Sequence, residues 1–207
     1  GAPMYVEDLK EALSRIGPVF VQLYGQGETP MTGTYLRPQE HVADGPESGR
    51  LASCGHARSG IEVRILGEDD VELPRRGVGE ISVRGPTVMK GYWERPEATA
   101  EALRNGWLHT GDVGYMDDHG YVYILDRTKD MIITGGSNVY PREVEEVLLE
   151  HPAISAACVI GIPDELWGEA VKAVVVLKQG AQATAEEVIA FAGKHMAGYK
   201  KPKTVDF

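Results

Sequence analysis

Between Glu40 and Leu125 the apolar residues fall in short stretches, Ile61–Leu66, Gly79–Arg84 and Tyr121–Leu125, set apart by Gly, Pro and Asp turn residues. Stretches of that length and spacing predict a small β subdomain. One helix interrupts it, with Pro96 suited to a first helical turn and Glu97 and Glu101 near the positive end. The flanks read differently. Val6, Leu9, Leu13 and Ile16 recur at helical intervals, and Val19–Tyr24 then predicts a buried strand that runs into a glycine-rich turn. Beyond Asp126 the pattern predicts a hairpin at Met131–Thr134, a helix over Pro141–Glu150, strands near Ile154–Ile160 and Val171–Leu177, and a last helix. That helix opens with Thr184 and Glu187 at capping-box spacing and carries Val188, Phe191, Ala192 and His195 on one face. The fold class expected is thus α/β and α+β. Residues 1–40 would be the last part of an α/β subdomain, 41–125 a β subdomain, and 126–207 a small α+β domain. The joint falls at Asp126–Asp130, and there is no internal repeat or long linker.

Composition narrows the function classes. A hydrophobic share of 43% over 207 residues is enough to bury a core in one large domain or two modest ones. With 21 basic against 31 acidic residues the net charge is −10, which argues against nucleic acid as the main partner while leaving local basic patches free to hold a small anion. Cys54 and Cys158 share no metal-like or redox spacing and read as reduced thiols of a cytoplasmic protein. No apolar run approaches the roughly 18 residues of a membrane span. The opening Gly1-Ala-Pro-Met and the stop at Val205-Asp-Phe207, just after an extended run, lead us to expect a fragment of a longer protein.

Three constellations carry chemistry. In Tyr24-Gly-Gln-Gly-Glu28 a strand ends in two glycines that let backbone approach a ligand. Glu28 at the strand's end could hold a hard cation such as Mg²⁺ beside a polyphosphate. The alternative is an ordinary glycine turn, with Tyr24 as core. The second pairs Asp112, in Trp107-Leu-His-Thr-Gly-Asp112, with Arg127 of Asp126-Arg-Thr-Lys-Asp130. An ionised carboxylate can accept from two vicinal hydroxyls, as ribose presents them, and a guanidinium can bind ribose oxygens or phosphate. A local cap or a surface salt bridge explains the same residues without a ligand. The third is the joint, where Lys129 precedes an apolar strand and the Gly135-Gly-Ser-Asn-Val-Tyr-Pro141 loop. Adjacent glycines there could line a narrow passage or simply make a hairpin tip. The cations of Tyr199-Lys-Lys-Pro-Lys203 read as a solvated run.

In their order these motifs, with Gly79-Glu-Ile-Ser-Val-Arg-Gly85 and Gly91-Tyr-Trp93, span the whole chain. It resembles the carboxyl-terminal portion of AMP-forming acyl-CoA synthetases, in the superfamily shared with peptide-synthetase adenylation domains and luciferase. The glycine loop looks most like the branch that makes CoA thioesters of fatty or related acids. The resemblance implies a ligase that activates a carboxylic acid, of the fatty class, with ATP and Mg²⁺, with AMP leaving when CoA takes the acyl group. Its implied roles fall on named positions. Gly1, Ala2 and Pro3 would lie along the adenine and acyl pocket, Tyr24 and Gly25 would flank the adenine, and Gln26 and Gly27 would belong to the nucleotide-binding set. Glu28 would ligate Mg²⁺, and Asp112 would hold the ribose hydroxyls with help from Arg127. Ile124 would contact the nucleoside. Lys129 would be the hinge of a rotating lid domain, and Gly135 and Gly136 would line the pantetheine tunnel. Three other functions stay open: an adenylation module that loads a carrier protein, a non-catalytic fragment that only binds nucleotide or CoA, and, with no specific support in the residues, a luciferase-like oxidation.

The chain departs from the family pattern in two ways. Gly27 fills a slot where relatives of this kind usually carry Thr, so Thr29 or a backbone amide would have to meet the α-phosphate. The Ser/Thr/Gly-rich phosphate loop and the terminal catalytic Lys of the family are not in the 207 residues. We therefore expect the isolated chain to release no pyrophosphate from ATP with any acid, and restoring both segments to produce release. Release at a normal rate by the purified 207-residue chain overturns this expectation.

Overall fold

A computed structural model of the protein describes residues 4–207, and the chain divides into two compact units, 1–125 and 126–207. The first begins with α1 (Val6–Ile16), whose Leu9 is fully buried, whereas Ile16, expected on the same face, is 64% exposed. The last turn ends at Gly17, in the positive-φ conformation that glycine tolerates. Two strands follow, β1 (Gln22–Gln26) and β2 (Thr29–Leu36), joined by the two residues Gly27 and Glu28. With β3 (His56–Ala57) they form a three-stranded antiparallel sheet in the order β1-β2-β3. The expected buried strand thus starts three residues later than Val19, and it is not buried on both faces. Tyr24 points inward while Val21 and Leu23 are exposed, the alternation of an antiparallel strand covered on one side.

The second sheet of this unit contains β4 (Glu62–Leu66), β5 (Gly79–Arg84), β6 (Leu108–Met116) and β7 (Val122–Arg127) in sequential order. The helix α2 (Pro96–Ala102) lies between β5 and β6, with Pro96 in its first turn as the sequence predicts. The two sheets are stitched by backbone: Cys54 N–H donates to the Val122 carbonyl at 2.8 Å, and Val122 N–H to that of Gly55 at 3.0 Å. Tyr24 from the first sheet and Ile65, Ile81 and Val122 from the second share one apolar cluster with Cys54. Burying these groups together is what fixes β1 against β6.

The second unit is α+β. A short hairpin, β8 (Ile132–Thr134) and β9 (Ser137–Val139), leads into α3 (Pro141–Leu149). A long antiparallel pair follows, β10 (Ile154–Asp164) with β11 (Gly168–Leu177), and then α4 (Ala185–His195) and the short β12 (Thr204–Asp206), which pairs parallel to β11. The sheet runs β10-β11-β8-β9. In β11 the residues Val171, Ala173 and Val175 are buried while Val174 and Val176 are exposed, a strict period of two with one face covered. Val144 and Leu148 of α3 and Val188 and Ala192 of α4, each pair four residues apart, cover that face. Phe191 meets the rings of His151 and His195 at the rim.

The capping box at the head of α4 is present in both directions: the Glu187 N–H donates to Thr184 Oγ1 at 3.2 Å and the Thr184 N–H to the Glu187 carboxylate at 2.9 Å. Thr184→Ala removes one acceptor for an otherwise unpaired helix amide. We expect it to lower stability by about 1 kcal/mol, read as a shift of the urea midpoint with unchanged slope. An unchanged midpoint would mean that solvent satisfies the amide equally well.

Candidate functional site

The site is organised by an interruption in β6. The β5–β6 ladder pairs Glu80 with Val113 and Ser82 with His109, so Ile81 stands alone opposite Thr110, Gly111 and Asp112. Such a bulge re-aims side chains, and here each residue type is accounted for. Thr110 Oγ1 donates to the Ile81 carbonyl at 2.6 Å and accepts the Asp112 N–H at 3.1 Å. Gly111 takes φ +71, which costs a residue with a Cβ dearly, and its N–H donates to Glu80 Oε1 at 2.9 Å. The result turns Asp112 toward β1.

Asp112 is 5% exposed. Its Oδ2 accepts the Tyr24 hydroxyl at 2.8 Å and Gln26 Nε2 at 2.7 Å, and the same Gln26 amide also donates to the Thr110 carbonyl at 2.8 Å. These partners come from more than eighty residues earlier in the chain. The carboxylate is therefore no local turn cap. The Tyr24 ring sits in the apolar cluster, and burial, followed by the charge of Asp112, pushes its hydroxyl far above the ordinary phenol range. It remains a donor at any physiological pH. A Cβ on Gly25 would collide with the backbone of Thr29 and Met31, so glycine is needed there by the hairpin itself.

Glu28 lies two residues beyond Gln26 in the β1–β2 turn, which puts both acidic residues at the same end of β1. Its carbonyl accepts the Met89 N–H at 2.8 Å and its Oε1 the Tyr92 hydroxyl at 2.6 Å. Thr32 Oγ1 in β2 donates to Thr87 Oγ1 at 2.8 Å, so the loop before α2 grips the hairpin both at its turn and along its second strand. Tyr92 carries a raised hydroxyl, first because of that bond to Glu28. Among the described residues no three acidic, His or Cys groups cluster as a metal cage. A lone carboxylate fits Mg²⁺ all the same, since that ion keeps waters and arrives with phosphate oxygens. Ile124 is half-buried against the apolar cluster.

The remaining candidates belong to the second unit, except that Gly1, Ala2 and Pro3 lie outside the described residues. Arg127 and Lys129 are exposed, and Lys129 sits inside a turn closed by the Asp130 N–H on the Arg127 carbonyl at 3.0 Å. Asp126 anchors this turn: its carboxylate accepts the Arg127 N–H at 2.8 Å and the Arg142 N–H in the first turn of α3 at 3.1 Å. Gly135 and Gly136 form the two-residue tip of the β8–β9 hairpin, with φ +56 and +78, the left-handed pair that such a turn demands. The Gly135 N–H donates to the Trp167 carbonyl at 2.9 Å, and a Cβ there would strike the indole. Lys200, read from the sequence as part of a solvated run, instead donates to both carboxylate oxygens of Glu143 at 2.6 and 2.7 Å. Sequence reasoning gave no role to Glu80, Tyr92 or His109. Their partners are 31, 64 and 29 residues distant, and only their presence in the quoted motifs drew attention to them.

Comparison with known proteins shows the family of the chain. The family model described as AMP-binding enzyme matches residues 1–93, and the one for the AMP-binding enzyme C-terminal domain matches 143–207. A medium/long-chain fatty-acid–CoA ligase of Mycobacterium tuberculosis is 47% identical over 195 residues, 94% of this chain and 33% of its own. A feruloyl-CoA synthase of Amycolatopsis is 45% identical over all 207 residues, 41% of its length. The structure of an amide bond synthetase from Marinactinospora thermotolerans superposes with a TM-score of 0.91 at 40% identity, covering 100% of this chain and 41% of that one. The chain spans about two fifths or less of the length of these relatives.

Tyr24 and Gln26 share one carboxylate oxygen, so their contributions should not add. We expect Tyr24→Phe and Gln26→Ala each to cost about 1–3 kcal/mol. The double variant should show a coupling of about 0.5 kcal/mol or more by denaturant unfolding. Strict additivity would mean that Asp112 does not tie the strands together.

Proposed function

Since this chain belongs to the family of AMP-binding enzymes, we propose that the whole protein is a cytoplasmic acid–CoA ligase. In the first step a carboxylate attacks the α-phosphorus of ATP, forming an acyl-adenylate and releasing pyrophosphate. In the second the CoA thiol attacks the acyl carbon and AMP departs. The observation that carries this reading is the convergence of Tyr24 and Gln26 on Asp112, with Glu28 in the adjoining turn. Asp112 supplies acceptors for the ribose hydroxyls, and Tyr24 and Gln26 hold its carboxylate in place. Gly25, Gln26, Gly27 and Ile124 border the nucleotide, with Gly1, Ala2 and Pro3 on its far side. Glu28 would hold Mg²⁺, and the ion would supply positive charge to neutralise the phosphate oxygens. Arg127 assists at the ribose, Lys129 acts as a hinge, and the Gly135–Gly136 tip borders the passage of the pantetheine arm. The fatty-acid and feruloyl relatives support an acid of substantial apolar character.

A second reading keeps the first step and changes the acceptor. The likeness to an amide bond synthetase supports an amine as well as a thiol, and carrier-protein loading belongs to the same set. A thioester assay with CoA, a carrier protein and simple amines separates them: CoA turnover far above the others supports the ligase, and the reverse order removes it.

Two variants of the full-length protein probe the roles. Glu28→Gln should raise the Mg²⁺ concentration needed for half-maximal pyrophosphate exchange, by about tenfold. Lys129→Pro should leave pyrophosphate exchange within about twofold of the unaltered protein and lower thioester formation by about 100-fold, the cost of misplacing groups. Equal loss in both steps is incompatible with a hinge.

A further inference from the structure

The bulge that presents Asp112 has a support of its own. Glu80, at the second position of β5, uses both carboxylate oxygens: Oε1 accepts the Gly111 N–H at 2.9 Å and Oε2 faces His109 Nδ1 at 2.7 Å. The His109 side chain is only 3% exposed, and its Nε2 points toward Asp70, 3.7 Å away. Asp70 is held in turn by Asn105 Nδ2 at 2.6 Å and Arg104 Nη2 at 3.4 Å, and Arg104 also lies 3.4 Å from Glu80. Arg104 therefore bridges the 68–70 turn to Glu80, which holds the amide next to Asp112, while His109 bonds Glu80 through Nδ1 and its buried Nε2 makes no hydrogen bond.

This matters because of where the bulge breaks the ladder. With Ile81 facing three residues, the amide of Gly111 has no place in the regular pairing, and the Glu80 carboxylate gives it a charge-assisted acceptor. Gly111 alone in the bulge has left-handed backbone, and its φ sets the direction in which the next side chain leaves the strand. Fixing that amide fixes the aim of Asp112. A carboxylate that must meet two vicinal hydroxyls while its Oδ2 keeps the Tyr24 and Gln26 donors tolerates little rotation.

We propose that Glu80, braced by His109, is a positioning residue that sets the aim of Asp112 and thereby the preference for a ribonucleotide over its 2′-deoxy counterpart. The proposal rests on Asp112 as the ribose acceptor. Neither Glu80 nor His109 touches the nucleotide; both act through the Gly111 amide.

Titration calorimetry of the full-length protein with AMP and with 2′-deoxy-AMP tests this. The unaltered protein should bind AMP tighter by about tenfold or more, the worth of a hydrogen bond to a charged group. Asp112→Asn should bring the ratio close to one. The isosteric Glu80→Gln, which keeps a weaker, uncharged acceptor, should lower the ratio at least about threefold, and Glu80→Ala should bring it near one. In both Glu80 variants 2′-deoxy-AMP affinity should change less than about twofold. A merely structural role for Glu80 would weaken both nucleotides equally, and that outcome, or an unaltered ratio in Glu80→Gln, overturns the proposal. An unaltered ratio in Asp112→Asn removes the ribose reading instead, and no AMP binding by the unaltered protein removes both. Should Glu80→Ala fail to fold, the isosteric variant decides.

Discussion

A single buried carboxylate organises the first unit. Asp112 is 5% exposed, and an ion taken out of water is tolerated only with partners that replace the lost hydration. Tyr24 and Gln26 provide them from the neighbouring sheet, at 2.8 and 2.7 Å. The requirement works in both directions. The charge needs β1 close by, and β1 is held there by the charge as well as by the apolar cluster around Ile81 and Val122. Any displacement of the β1–β2 hairpin would take two donors from the buried carboxylate, so the turn that carries Glu28 inherits a fixed place relative to Asp112.

The same economy recurs in how loops are tied down. Glu28, Met89 and Tyr92 link the hairpin turn to the segment before α2 through one backbone and one side-chain bond. Asp126 links the turn containing Lys129 to the start of α3, and Lys200 links the chain after α4 to Glu143 on α3. In each case a charged side chain satisfies groups that secondary structure leaves open, backbone amides at Asp126 and a full ion pair at Lys200. The effect is to restrict loop conformation, which is what a site built from turns requires.

The fold was largely legible before the structure because its elements announce themselves locally. The four-residue repeats of α3 and α4, the period-two run of β11, Pro96 and Pro141 at helix starts and the Thr184–Glu187 box are all read from neighbours in sequence. Two local expectations shifted for tertiary reasons. Val19–Tyr24 became a later strand with one covered face because its partner is an antiparallel hairpin, and Ile16 projects past the core that buries Leu9. At the site, the acidic and glycine residues stood out by type, but what surrounds them did not. Nothing near Asp112 in sequence points to Tyr24 or Gln26, and Glu80 looks like any polar residue at a strand start.

The order of residues alone left β2, β6 and β12 unread, but it determined the helices α1, α2, α3 and α4, the strands β4, β5, β10 and β11, and that the motifs form one family pattern. These follow from local sterics and periodicity, which act within a few residues. Only the tertiary structure decided that Ile81 faces three residues instead of one, that the resulting bulge turns Asp112 into the space between two sheets, and that Glu80 holds the amide beside it. Those outcomes depend on register and on hydrogen bonds between residues tens of positions apart. Register is set by the packing of whole faces, a sum that no short stretch of sequence contains.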